Sequence, residues 1–444
     1  MKNHVTAKKM ILLAAAAALF TACSPVESSD AVNSHSTVSV PASSTAEEVQ
    51  NTQTRYRLVS SADGIFYGGR AQVEDGFYDL VYTKDVLSAA QNIVYTDFPS
   101  RHRVYLSSDV GSDHQSEDDT SYIPTAVGGA TVFADDEYVY VLKKGSLLLQ
   151  KASEQDAKSC IYRLNPNGSD RIALELSFDR VINSASGVFA DGNALVLLVD
   201  SVDKDTSLHP ELVRADFSSR RIITLMDLSE TGLDLQNASL VNSFGDKLVL
   251  SSSKIGENGT LVRELYTLDP AKKAIVPLAS FDTAEQYVFY RDDAIYYIES
   301  SENALYQFDP SSRESTLLLD EIAPPELEFD SVQAGFPAPE PYLEFFFTKG
   351  ESSVTYYWNS ATGQWHQKLL MDGDRPVTIY RIWQDYFLVK LQDKMVTYQD
   401  FTQNGQAYEN QMAVAEYALI RQEDYWNGVP DYIRFTDDVY GNQG

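Results

Sequence analysis

Ile161-Tyr162-Arg163-Leu164-Asn165-Pro166-Asn167-Gly168-Ser169, followed by Ile172-Ala173-Leu174-Glu175-Leu176, is a short apolar strand, a turn and a second strand. Proline fixes the backbone directly after the asparagine, and glycine two residues later relieves a conformation that a Cβ would disfavour. The same grammar recurs down the chain. Leu212-Val213-Arg214-Ala215 runs into Asp216-Phe217-Ser218-Ser219, Leu265-Tyr266-Thr267-Leu268 into Asp269-Pro270, and Leu305-Tyr306-Gln307-Phe308 into Asp309-Pro310-Ser311-Ser312. Val354-Thr355-Tyr356-Tyr357-Trp358 likewise runs into Asn359-Ser360-Ala361-Thr362-Gly363, and further apolar runs follow at Ile222 to Leu225, Ile275 to Leu278 and Thr316 to Leu319.

Upstream of each hairpin lies another strand announced by a Gly or Asp turn. Asp63-Gly64 precedes Ile65-Phe66-Tyr67, Asp135-Asp136 precedes Tyr138 to Val141, Asp191-Gly192 precedes Leu195 to Leu198, and Gly245-Asp246 precedes Leu248 to Leu250. Asp292-Asp293 before Ile295 to Tyr297, Phe345 to Phe347, and Asp385 before Tyr386 to Val389 bring the candidate units to seven. A unit of four short antiparallel strands recurring every 40 to 60 residues or so is the pattern of a β-propeller blade. One such sheet buries neither face alone, so blades stack around an axis, and 27 Tyr and 20 Phe suit that wedge-shaped packing. The fold class is therefore all-β, a β-propeller of seven blades. Six or eight blades, two smaller propellers or a pair of β-sandwiches are the competing arrangements. The only helix-period segment of useful length is Gln411 to Gln422.

The N-terminus carries a separate signal. Lys2, Lys8 and Lys9 lead into an apolar run from Met10 to Phe20 that stops at Thr21-Ala22-Cys23. Charge, a short apolar core and small residues before a cysteine read as a lipoprotein leader, with Cys23 the lipidated residue. The run is too short for a transmembrane helix, which needs about 20 apolar residues. Ser24 to Thr54 holds many Ser, Thr, Ala, Val and Glu and no aromatic residue, the composition of a tether. As a flexible coil of roughly 30 residues it would span about 30 Å. The expected organisation is a leader at 1–22, a lipidated cysteine and tether at 23–54, a propeller at 55–402, and a C-terminal segment at 403–444 that packs on or closes the propeller. The expected location is outside the cytoplasm, anchored to a membrane by lipid.

The formal charge of −29 excludes nucleic acid as a partner, because gripping phosphates requires clustered Lys and Arg. After Cys23 only Cys160 remains, so no internal disulfide can form, and Cys160 reads as a buried strand residue. The six histidines contain no i, i+4 pair, and neither a G-x-S-x-G elbow nor a phosphate-cradling glycine loop is present. No cofactor, metal or catalytic residue is expected. The proline-rich stretch Ile322 to Tyr342 reads as a stiff loop between blades. Its Phe329 and Phe336, with Trp358 and Trp383, are the candidate ligand-binding aromatics, because flat rings on a propeller face stack on sugars or peptides.

Residues 161–169 resemble the repeat of TolB-like and YWTD-like propellers, in particular an uncharacterised group of Gram-positive gut-bacterial lipoproteins. Leu106 to His114, continuing through Asp119 to Ile123, resembles a loop that in this group carries three cysteines and a histidine, and Tyr417 to Pro430 resembles its closing segment. This chain departs from the pattern in having Ser107, Ser112 and Asp119 in place of cysteines and keeping only His114. Hydroxyls are poor substitutes for thiolates, so a cysteine-based metal site is excluded, and the acidic loop reads as a solvated surface.

Together these readings describe a lipid-anchored propeller that acts as a non-catalytic platform for an envelope protein, peptide or glycan. A glycan-active enzyme would instead show two carboxylates facing each other across a cleft. A scaffold subunit of an envelope complex would show a large apolar patch.

Overall fold

The computed structural model describes residues 55–439 apart from 62–70, 84–89, 125–128, 147–157, 203–207, 234, 236, 257–258, 292–293, 323–326, 332–338, 350–351 and 402–406. The leader, Cys23 and the tether lie outside the described residues, as does Phe336.

Seven sheets of four antiparallel strands stand in a ring. The first blade comprises Ala71–Val73, Gly76–Tyr82, Gln91–Asp97 and His102–Tyr105, and the second Ala130–Ala134, Val139–Lys143, Cys160–Leu164 and Ile172–Glu175. The third comprises Val188–Asp191, Ala194–Val202, Leu208–Asp216 and Arg221–Asp227, and the fourth Ser239–Phe244, Lys247–Ile255, Leu261–Asp269 and Ala274–Asp282. The fifth is Gln286–Arg291, Ala294–Glu299, Ala304–Asp309 and Glu314–Leu319, and the sixth Glu328–Ser331, Tyr342–Lys349, Ser352–Asn359 and Trp365–Gln367. The seventh is Thr378–Trp383, Tyr386–Lys390, Tyr417–Arg421 and Ile433–Arg434.

Inner strands are covered on both faces by neighbouring blades and so read as continuous apolar runs: every residue of Val139–Lys143 and of Ala194 to Val199 is buried. Outer strands such as Arg221–Asp227 are largely open to solvent and carry the charge. The core is a closed series of clusters between blades. Tyr78, Val141, Ile161 and Leu197 join the first three blades, Phe189 and Leu250 the third to the fourth, and Leu265 and Ile295 the fourth to the fifth. Leu305, Phe345 and Trp358 join the fifth to the sixth, and Tyr357, Phe387 and Tyr425 the sixth to the seventh. Phe77, Phe98, Leu388 and Tyr417 return from the seventh to the first and close the ring.

Each blade is one continuous run of chain, so closure rests on these side chains and on one short strand from the end of the seventh blade, and a second added strand lies elsewhere in the ring. Arg57–Ser60 pairs antiparallel with the innermost strand of the third blade and forms a fifth, axial strand there. Its preceding Tyr56 is buried between the third and fourth blades. Arg55 reaches Asp191 at 2.9 Å and Arg57 reaches Asp135 at 2.8 Å, while Ser243 Oγ donates to the Tyr56 carbonyl at 2.6 Å. At the other end of the chain Thr436–Asp437 lies parallel to the outer strand of the first blade.

Three expectations change. Residues 411–421 are strand and not helix: 411–414 pair with 394–397 in a hairpin, Tyr417–Arg421 is the third strand of the seventh blade, and the helix is only Gln422–Trp426. Tyr417 to Ile420 is apolar at every position because both of its faces are covered, a pattern that mimics helix periodicity at its edges. The segment from 403 onward is also part of the ring. It supplies the outer half of the seventh blade, and the Lys394–Phe401 and Ala407–Val414 hairpin is inserted between that blade's second and third strands. The stretch Ile322 to Tyr342 likewise includes a strand, Glu328–Ser331.

Candidate functional site

In an antiparallel meander the turns after the first and third strands lie on one face, and the connections after the second and fourth strands on the other. Arg55 enters on the first of these faces, where its amide bonds the Gly245 carbonyl at 2.7 Å. A cleft of about 620 Å³ opens on the other, above the third blade. Its walls come from four separate segments: Lys144 beyond the second strand of the second blade, the link Asn183 to Ala185, the strand ends Asp200 and Leu208 to Pro210, and the link Leu228 to Ala238.

Local chemistry sets each wall. Asn183 Oδ1 accepts from the Ala185 amide at 3.0 Å, while its Nδ2 donates to Asp200 Oδ1 and to the Ala238 carbonyl, both at 3.3 Å. One asparagine thus holds the second strand of the third blade and both neighbouring links. The Gly187 amide bonds the Leu240 carbonyl at 2.8 Å, and a Cβ at position 187 would come within 2.7 Å of the same oxygen, so only glycine allows the links to meet. Leu228–Thr231 forms a single 3-10 turn, started by Asp227 Oδ1 accepting from the Ser229 amide and ended by Gly232 at φ 69°.

Among the described lining residues the ionisable side chains are Lys144, Asp200 and His209. Burial pushes the Asp200 carboxyl above its usual range, opposed by Asn183 and by the nearby Lys144 ammonium. Lys144 Nζ donates to Ser184 Oγ at 2.9 Å. Behind this pair Glu211 is buried and held by Arg180 at 2.9 Å, by Thr224 Oγ1 at 2.9 Å and by Ser201 Oγ. His209 Nε2 stands 3.8 Å from both Glu211 and Asp227. Leucines stand at the rim: Leu208 is 64% exposed, Leu233 and Leu235 also line the cleft, and no Phe, Tyr or Trp is among the described lining residues.

The aromatic residues singled out from sequence do not come together. Trp358 is 3% exposed and packs on Trp365 between the fifth and sixth blades, so its ring offers no face to a ligand. Trp383 is half-buried at the junction of the seventh and first blades, where Nε1 donates to Asp75 at 3.2 Å and the ring meets Phe98. Phe329 lies in Glu328–Ser331, with its side chain outside the described residues. The cleft escaped the sequence reading because its polar groups come from links and strand ends scattered between 144 and 238, with no local motif.

The loop from Leu106 to Ile123 is built around a carboxylate. Asp119 is 1% exposed; its Oδ2 takes Ser107 Oγ and His114 Nδ1, each at 2.8 Å, and its Oδ1 takes the amide and hydroxyl of Ser121 at 2.7 and 2.6 Å. Burial raises its pKa, but the hydrogen bonds from Ser112, Ser121 and Ser107 outweigh burial and hold it at about 2. Arg171 ties the same loop to the second blade through the carbonyls of Glu117, Asp119 and Tyr122. Asp109, Asp113, Glu117 and Asp118 face solvent, whereas Asp119 is the loop's internal post and not part of an acidic surface. Among the described residues no group of three His, Cys, Asp or Glu side chains is placed to hold a metal ion.

No family model and no curated protein matches the sequence. Solved structures similar to this chain include an oligogalacturonate lyase from Vibrio parahaemolyticus, at 10% identity over 76% of this chain and 86% of the lyase, with a TM-score of 0.40. TolB from Acinetobacter baumannii matches at 11% identity over 80% of this chain and 76% of TolB, TM-score 0.31. An acylaminoacyl peptidase matches at 12% identity over 65% of this chain, TM-score 0.37, and the chain spans half the length of that peptidase.

Proposed function

We propose that this protein is a lipid-anchored, extracytoplasmic propeller that binds a ligand or protein partner at the cleft of its third blade without transforming it. The observation that carries the reading is the cleft itself. It is a cavity of about 620 Å³, within the range of roughly 300–1,000 Å³ common for small-ligand sites, with an apolar rim and a few convergent polar groups.

The cleft's own hydrogen bonds support a binding role. Among its described residues a hydroxyl meets an amine where Lys144 donates to Ser184. Acyl transfer at that serine would need backbone amides to stabilise an oxyanion, and the amides of Ala185, Ser186 and Gly187 are given to Asn183 Oδ1, the Asn183 carbonyl and the Leu240 carbonyl. Glu211, held by Arg180, Ser201 and Thr224, is not among the described residues that line the cleft, where Asp200 is the one carboxylate, whereas a glycosidase needs a facing pair.

Attachment is supported by the basic, apolar and small-residue order that ends at Cys23. Fractionation of cells expressing the full chain tests this. Wild type is expected in the membrane fraction with its leader removed, and Cys23→Ala in the soluble or unprocessed fraction. A Cys23→Ala chain that is processed and retained like wild type overturns the anchor.

A further inference from the structure

The floor and rim of the cleft differ in chemistry, and the difference selects a ligand. At the floor Asp200 is a carboxylate whose burial disfavours its charge; it receives one hydrogen bond from Asn183 at 3.3 Å, a long one. A cationic donor arriving there gains a desolvated partner. Lys144, beside it, is anchored through Ser184 and offers its remaining N–H groups to a carbonyl oxygen. At the rim Leu208 is 64% exposed and Leu233 36%, above the buried Leu228, so apolar surface is left open to be covered.

This set fits neither a sugar nor an anion. Sugars in protein sites rest on flat aromatic rings, and no Phe, Tyr or Trp is among the described residues that line the cleft. An isolated anion against Lys144 would sit beside the Asp200 carboxylate and an isolated cation against Asp200 beside the Lys144 ammonium, so the pair favours a ligand that brings a positive group and a carbonyl oxygen together. Resting on the reading of the cleft as the binding site, we infer that it takes the free N-terminus of a short aliphatic peptide, its α-ammonium against Asp200, its first carbonyl against Lys144 and its side chains over Leu208 and Leu233.

Isothermal titration of the full chain in detergent tests the assignment with three probes: trileucine, N-acetyl-trileucine and the N-acetylglucosamine trimer. Trileucine is expected to bind, acetylation of its amine to weaken binding tenfold or more, and Asp200→Asn to abolish that difference. An unchanged thermal midpoint in Asp200→Asn shows that the fold is intact, and Leu208→Ser, on the exposed rim, gives a second variant expected to weaken trileucine several-fold. Equal binding of the free and acetylated peptides overturns the proposal. So does binding of the sugar trimer in place of trileucine, which leaves the cleft as a binding site, and so does failure of all three probes. Cross-linking from Leu208 in cells tests the binding site separately from its ligand.

Discussion

A single side chain decides the conformation of several turns in this ring, and the clearest case is the carboxylate of Asp119. Hydrogen bonds from Ser107, Ser112, Ser121 and His114 converge on it in a loop that would otherwise have no core. Its pKa lies at about 2 in the fold against an ordinary 3.8, so its stabilisation is fully present above 3.8 and is lost as pH falls toward 2. The shift corresponds to about 2 kcal/mol. Between those two values wild type is therefore expected to lose more stability than Asp119→Asn, read as urea midpoints at successive pH; parallel losses would contradict the assignment. The turns between third and fourth strands show where residue-level reading stops. Asp216, Asp269, Asp309 and Asn359 do start them by accepting amide hydrogens, as the Asp and Asn positions imply. The relieving residue, however, is Arg220, Lys273 and Arg313 at φ 55°, 50° and 62° in the Asp216, Asp269 and Asp309 turns, and glycine in the turns that hold Gly168 and Gly363. A long basic residue in a left-handed conformation gives no signal in sequence.

At the scale of elements, strands were legible wherever an apolar run stood between turn residues, because inner blade strands are buried on both faces. The added strands were not. Arg57-Leu58-Val59-Ser60 and Thr436-Asp437 are short and unpatterned, and their pairing is settled by what the ring leaves open. The axial strand nonetheless bridges the second, third and fourth blades through Arg57, its own ladder and Tyr56. Tyr56 is 1% exposed, so Tyr56→Ala is expected to cost about 3–5 kcal/mol in chemical denaturation, the loss typical of a buried large aromatic. A cost below about 1 kcal/mol would show that the axial strand is dispensable. The inserted hairpin at 394–414 was hidden for the opposite reason. Its strands are regular, but nothing local marks them as an interruption between Tyr386–Lys390 and its true neighbour Tyr417–Arg421.

For the whole molecule, seven contiguous blades leave the ring to be closed largely by packing, with Phe77 meeting Tyr417 and Phe98 meeting Trp383 across the last junction at ring-centroid distances of 4.9 and 5.4 Å. Such a body is rigid, and its variable parts are the links on its two faces. That architecture explains why the fold was readable and the site was not: repetition accumulates evidence for blades, whereas a cleft assembled from Lys144, Asn183, Asp200 and His209 occurs once. The account depends on that cleft being the surface that engages a partner. The direct measurement is photo-cross-linking in cells with p-benzoylphenylalanine placed at Leu208 on the cleft rim or at Val276 on the outer strand of the fourth blade, 64% and 50% exposed respectively. An adduct from position 208 and none from position 276 is the predicted result; no adduct at 208, or equal adducts at both, would contradict it.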